Sequence, residues 1–318
     1  MSVPRGNRMP PVAAVGAVNV LAIGDVHLSD TAWVTSPRLA RCAEDISRMA
    51  GRGALDAVVQ VGDHTSVAST AEFNAYLAWK ATVSLPAGVP FEEIPGNHDL
   101  TGGNSPPTAD VVTTAQWAAI MSRAGGVKDM VVDLGDRVRL LLLAPTSDST
   151  GTLSTGVGFT AATRTYLDAT DLAWCDARMD EVPDRQCVIF FHAPLFQTQG
   201  PLDGSAFSSY DTAGRWVAHA GTSTIAAMIA RHPNFVAWVA GHSHTLTTEV
   251  DAVKAKTYGT VTFAAVAACS PSSANPDLGR QNNRIATCLL TVLPDRVEVR
   301  YRDNGVGQWL SPVHTVTP

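Results

Sequence analysis

Five short apolar runs in this 318-residue chain each stop at a turn carrying Asp, Asn or His, and that repeated ending constrains the fold more than any other feature. Residues 18–23 run into Gly24-Asp25-Val26-His27, and residues 57–61 into Gly62-Asp63-His64. Residues 89–94 end at Pro95-Gly96-Asn97-His98-Asp99, residues 187–191 at His192, and residues 235–240 at Gly241-His242-Ser243-His244. Runs of this length and β-branched content read as strands. Between them lie stretches of helical spacing: Leu39, Cys42, Ile46 and Met49 within 37–51, then Phe73, Tyr76, Leu77 and Lys80 within 70–83, with Thr70 as the expected N-cap. Leu172, Trp174, Cys175 and Met179 repeat the pattern within 168–181. Alternating strands and helices predict an α/β fold, and in such sheets ligand sites form beyond the carboxyl ends of the strands. Side chains far apart in sequence are therefore expected to converge.

The remaining runs extend this plan. Residues 131–133 and 138–143 read as a hairpin around Gly135-Asp136, and strand-like stretches return at 261–268, 286–293 and 297–301. With no internal repeat or linker, a single domain is expected over 18–318, after an N-terminal extension of residues 1–17. A 45% apolar content supports a substantial core, while a net charge of −6, with 23 Lys+Arg against 29 Asp+Glu, argues against bulk electrostatic binding of nucleic acid. The five cysteines, Cys42, Cys175, Cys187, Cys269 and Cys288, form no CxxC pair and read as buried thiols. Arg5 and Arg8 before the apolar run 10–23 superficially resemble a signal peptide, but Pro10-Pro11 and Asn19 interrupt it. No apolar run reaches the ~18–20 residues of a membrane span, so the expectation is a cytoplasmic protein, with secretion as the alternative and a homo-oligomer left open.

Singly, an Asp after a strand is a turn former and a His in an apolar segment a core residue. In conjunction, Asp25, His27, Asp63, Asn97, His98, Asp99, His192, His242 and His244 supply carboxylate, imidazole and amide oxygen, a donor set suited to Mn, Fe, Zn or Co. Two such ions sit about 3.5–4 Å apart where one carboxylate bridges them. Glycines 24, 62, 96 and 241 permit the tight turns that aim these side chains inward.

In this order, DxH, GD, GNHD, H and GHxH, the blocks resemble the calcineurin-like metallophosphoesterase superfamily, from about Val18 to the C-terminus. The resemblance implies a four-layer αββα sandwich of two mixed β-sheets flanked by helices. It implies that Asp25, His27 and His244 hold one divalent metal ion, that Asn97, His192 and His242 hold a second, and that Asp63 bridges them. It makes His98 a catalytic group facing the scissile phosphate, with Asp99 orienting its imidazole. The implied activity is hydrolysis of a phosphoester by a metal-bound hydroxide, with His98 donating to a phosphoryl oxygen or the leaving alkoxide.

Within the superfamily, purple acid phosphatases place a Tyr shortly after the GD block, where this chain has His64-Thr65-Ser66. Ser/Thr protein phosphatases read GDxxDRG and GNHE, and the recombination nucleases bring basic clefts; neither pattern is present. The closest resemblance is to the class III cyclic-nucleotide phosphodiesterases, through Thr70-Ala71-Glu72-Phe73, Leu85-Pro86, Ile94 to Asp99, Leu172-Ala173-Trp174-Cys175 and Phe191 to Phe196. Where that group has HHPP, this chain has His192-Ala193-Pro194-Leu195, a change expected in the pocket wall. The resemblance thus implies a phosphodiesterase of small, nucleotide-like and cyclic esters. The alternatives are a phosphomonoesterase or nuclease of the same superfamily, or a metal-stabilised binding module without catalysis.

Residues 197–221, containing Phe207, Tyr210 and Arg215, read as a lid or a solvated insertion, and residues 270–283, with Arg280 and Asn283, as a further candidate loop. His64 is read as a polar turn residue in preference to one that orients a ligand, and His219, His232 and His314 as structural or exposed. Trp174 and Trp238 are read as core.

Overall fold

The structure is a computed structural model describing residues 16–28, 37–101, 112–122, 128–144, 151–152, 158–159, 167, 169–193, 222–245, 255–258, 260–267, 269, 286–304 and 307–316. In chain order the elements are β1 (Val18–Ile23), α1 (Pro37–Gly51), β2 (Ala57–Val61), α2 (Thr70–Lys80), β3 (Phe91–Ile94), α3 (Asn97–Thr101) and α4 (Thr114–Ile120). There follow β4 (Met130–Leu134), β5 (Val138–Leu142), β6 (Gly151–Thr152), β7 (Gly158–Phe159), α5 (Ala169–Asp180), β8 (Gln186–Phe190), α6 (Thr222–Arg231) and β9 (Phe235–Thr245). The chain closes with β10 (Ala255–Tyr258), β11 (Val261–Ala267), β12 (Ala286–Leu293), β13 (Arg296–Asp303) and β14 (Gln308–Val316).

Two mixed six-stranded sheets result, ordered β14-β13-β12-β1-β2-β3 and β10-β11-β9-β8-β5-β4. The strands whose ends carry the Asp, Asn and His blocks are parallel within each sheet: β1, β2 and β3 in one, β8 and β9 in the other. Their carboxyl ends therefore open on the same side. The C-terminal strands complete the first sheet through antiparallel pairing of β12 with β1.

Period-2 alternation explains the layering. Val20 and Ala22 of β1, Val59 and Val61 of β2, and Val188 and Phe190 of β8 point into an apolar layer between the sheets. The intervening Leu21, Ile23 and Val58 face outward, under Ile46 and Met49 of α1, Phe73 and Tyr76 of α2, and Trp117 of α4. Leu141, Ile189 and Trp238 do the same on the second sheet, under Cys175 and Met179 of α5 and Ile225 and Met228 of α6. The αββα sandwich of two mixed sheets is therefore the architecture observed. All five cysteines are buried free thiols. Among the described residues no helix is long and apolar enough to cross a membrane.

Local expectations hold except at certain ends. Ser69, not Thr70, caps α2, its side chain accepting from the Glu72 amide. Strand β3 starts only at Phe91, because Val89 closes a turn onto the Pro86 carbonyl at 3.1 Å. Strand β9 does not stop at Ala240 but continues to Thr245. Ala240 pairs with Ala265 and Thr245 with Ala267, so the block 241–244 bulges from the ladder. The GNHD block is not a plain turn: Asn97 opens the short helix α3.

A buried ion pair ties the end of the first sheet to its helical layer. Arg302 of β13 donates Nε and Nη2 to Asp45 of α1 at 2.5 and 2.7 Å, and the Asn304 amide adds a bond of 3.0 Å. Both charged groups are buried. Removing one partner strands the other in a low-dielectric site, so Asp45→Ala is expected to cost about 3–5 kcal/mol. Urea unfolding of the variant beside the wild-type chain measures that loss.

Candidate metal centre

The strand-end loops are stitched together by their backbones. The Asp25 amide donates to the Gly62 carbonyl (3.2 Å), the His27 amide to Asp63 (3.0 Å) and the Leu28 amide to His64 (2.9 Å). Within the second sheet the Gly241 amide donates to the His192 carbonyl at 2.9 Å, and across the sheets the His242 amide donates to the Asp25 carboxylate at 3.0 Å. These loops turn sharply. Asp25 (φ 52°), His27 (46°), Asp63 (54°) and His242 (65°) all occupy the left-handed region, which costs a non-glycine residue roughly 1–2 kcal/mol. Strain of this kind persists where the surrounding structure over-determines it, and here it falls on predicted ligands. Two glycines permit the close approach. A Cβ on Gly62 (φ 84°) would lie 2.5 Å from His192 Nδ1, and one on Gly96 would collide with the Asp63 carboxylate.

The donor atoms converge. His192 Nδ1–H donates to the Val61 carbonyl (2.7 Å), so Nε2 is left to face the site. That atom lies 3.1 Å from Asn97 Oδ1, 3.1 Å from His242 Nδ1 and 3.3 Å from Asp63 Oδ2. The same Asp63 oxygen is 3.4 Å from His27 Nε2. Two clusters of potential donors, His27–Asp63–His98 and Asp63–His192–His242, share Asp63, and within each the donor atoms lie within 4.8 Å of one another.

A carboxylate, an amide oxygen and imidazole nitrogens crowded together in a buried space need positive charge between them, supplied by protons or by metal ions. The protonation equilibria show the same demand. Burial pushes Asp25 up to about 8, with the Asp63 and Asp99 charges adding to it. Burial would lower His192, but Asp63, Asp25 and the Val61 carbonyl outweigh it and push it up to about 9. Burial also opposes ionisation of Asp63, yet His192, His98 and His27 hold that carboxyl well below the ordinary range. The donor set therefore fits divalent metal ions.

Of the predicted residues, Asp63, His27, Asn97, His192 and His242 come together directly. Asp25 is buried against the His242 amide and belongs to neither three-residue group. His244 lies on β9, but its side chain falls outside those described. Residues 197–221 and 270–283, with Leu195, also lie outside the described residues. Ala193, the first of the two departures from HHPP, is fully buried in the core beneath the second helical layer.

His98 is oriented otherwise than the resemblance implied. Its Nδ1 donates to the Ser66 carbonyl at 2.7 Å, and its ring meets His27 edge-on with centroids 4.5 Å apart. Asp99 does not touch it. The Asp99 carboxylate accepts from His64 Nδ1 (2.7 Å), the Gly96 amide (2.9 Å), the Thr65 amide (2.9 Å) and the Thr65 hydroxyl (3.0 Å). An acid at the third position of a helix reaching back to its N-cap amide is half a capping box, and that signal was present in the sequence. His64, read as a polar turn residue, is fully buried and paired with that carboxylate. Ser66 carried no signal, because its carbonyl and not its side chain does the work.

The sequence matches the family model of the calcineurin-like phosphoesterases over residues 18–246, and the chain belongs to that family. No curated protein sequence matches it significantly. Among solved structures, a dimetal phosphatase from Danio rerio superposes with a TM-score of 0.61 at 14% identity, covering 95% of this chain and 99% of that one. A purple acid phosphatase from yellow lupin seeds superposes at 0.57 with 12% identity, covering 98% of this chain and 55% of that one. GAP50, the anchor in the inner membrane complex of Plasmodium, superposes at 0.52 with 9% identity, covering 95% and 89%. At these identities the likeness is one of fold.

Asp99→Asn tests the clamp. Whichever way the amide is turned, its NH2 faces a backbone N–H, of Gly96 or of Thr65. The expected loss is about 1–3 kcal/mol, the cost of a buried unsatisfied donor, read by denaturant unfolding.

Proposed function

We propose that the chain is a dinuclear metal-dependent phosphohydrolase and, within that class, a phosphodiesterase of small nucleotide-like phosphoesters, cyclic ones included. The observation carrying this reading is the position of Asp63 Oδ2, 3.3 Å from His192 Nε2 and 3.4 Å from His27 Nε2, between imidazoles delivered by strand ends of the two different sheets. Asp25, His27 and His244 would hold one divalent ion, Mn, Fe or Zn, and Asn97, His192 and His242 the other, with Asp63 between. When bound, such ions supply Lewis-acid charge to the phosphoryl oxygens and lower the pKa of water.

The chain's own residues supply geometry and a proton. The Asp63 carboxylate is held ionised, and its Oδ1 is fixed by the His98 amide at 2.9 Å. Because His98 Nδ1–H is committed to the Ser66 carbonyl, Nε2 is the atom that faces a substrate. In the imidazolium form that nitrogen donates to a phosphoryl or leaving oxygen, a contribution of typically 10²–10⁴-fold. Support for a diester over a monoester comes from the resemblance of the stretches around Thr70 to Asp99 and Leu172 to Phe196 to the class III phosphodiesterases.

Three measurements test the reading. Asp63→Asn is expected to remove both metals and activity together; retention of two ions by elemental analysis counts against the shared carboxylate. His98→Ala is expected to keep its metals and lose about 10²–10⁴-fold in kcat on esters with poor leaving groups. With Mn-loaded protein, bis(p-nitrophenyl) phosphate is expected to be hydrolysed faster than p-nitrophenyl phosphate, followed by a panel of cyclic and linear nucleotides. A strong monoester preference would reject the phosphodiesterase reading.

A further inference from the structure

We infer that His64 is a positioning residue of the metal centre, setting the spacing between the Asp63 and Asn97 loops through Asp99. This rests on the dinuclear reading above. His64 follows Asp63 directly in the chain, and its own carbonyl accepts from the Leu28 amide at 2.9 Å, next to His27. Its ring Nδ1 donates at 2.7 Å to Asp99 Oδ2, which also takes the Gly96 amide at 2.9 Å, one residue before Asn97. The other carboxylate oxygen takes the Thr65 amide and hydroxyl. A single carboxylate thus clamps the two residues after Asp63 to the residues flanking Asn97 and His98. The three loops that bring Asp25 and His27, Asp63, and Asn97 thus meet at one residue, His64: its backbone carbonyl holds the first, and its imidazole reaches the third through Asp99.

That imidazole cannot shift freely. It is fully buried, edge-on to Tyr76 of α2 with centroids 4.4 Å apart and 5.9 Å from Trp117 of α4. The helical layer therefore determines where the ring sits, the ring where Asp99 sits, and Asp99 how far Asp63 stands from Asn97. Metal–ligand distances tolerate only about ±0.2 Å, so a link joining the neighbours of two ligands acts on the ions and not on stability alone. Groups hydrogen-bonded directly to a metal ligand typically change metal affinity by 10–100-fold when replaced, and that range bounds the effect of a residue acting through Asp99 on the ligands' backbone.

The test uses the full chain, stripped with chelator and titrated with Mn(II) by calorimetry, with electron paramagnetic resonance reading the exchange coupling between two bound ions. Asn at this position places an amide N–H where Nδ1 stands, and Gln places it one methylene too far. His64→Asn is expected to bind two Mn with close to wild-type affinity and coupling, and His64→Gln and His64→Leu to lose about 10–100-fold for at least one ion, with altered coupling. The Asn and Gln pair keeps the comparison valid should the Leu variant fail to fold. Equal Mn affinity and coupling in the Asn and Gln variants, with only thermal stability changed, overturns the role of His64. Failure of the wild-type chain itself to take up two Mn overturns instead the dinuclear reading, and the inference with it.

Discussion

A buried carboxylate that must stay ionised organises this protein. Asp63 lies at the end of β2 with none of its surface exposed, where the loss of hydration alone would neutralise it. Three imidazoles, those of His192, His98 and His27, face it and, when protonated, reverse that tendency. Each arrives from a different loop, so the electrostatic requirement at one oxygen becomes a geometric requirement on the ends of several strands. Parallel pairing of β1 with β2, β2 with β3 and β8 with β9 meets it by opening their carboxyl ends on the same side.

The left-handed backbone at Asp25, His27, Asp63 and His242 follows from the same requirement. A strand leaving its sheet in an ordinary turn would carry these side chains away from one another. The unfavourable dihedrals are offset by three apolar layers, one between the sheets and one under each set of helices, and by the amide–carbonyl bonds that stitch the loops. Stability made by packing elsewhere is thereby held as strain at the site.

Orientation of the imidazoles is the work of carbonyl groups. His192 and His98 each commit Nδ1–H to a backbone carbonyl, of Val61 and Ser66, which leaves Nε2 as the second ring nitrogen of both. Carboxylate support goes elsewhere: Asp99 serves His64 and the loop backbones. The carboxylate nearest to His98 in sequence is thus spent on holding loops, and the proton on His98 Nδ1 is held by a neutral dipole. A carbonyl fixes the tautomer without adding negative charge beside an imidazole that already faces the Asp63 carboxylate.

That Asp63, His27, Asn97, His192 and His242 meet could be anticipated from the chain, as could the strands and helices that carry them. Apolar runs of five or six residues with period-2 alternation and a helix-spaced remainder are local patterns, and a Gly-Asp or Gly-Asn-His-Asp block at a strand end is equally local. What escaped was relational. That Asp99 turns to His64, that Ser66 lends a carbonyl to His98, that Ala193 is packing and that β9 bulges through its histidines depend on contacts between segments distant in sequence. A short motif specifies which donors are available. Which acceptor each one meets is decided by the packing of helices against sheets, because hydrogen-bond partners are chosen by distance and burial and not by order along the chain.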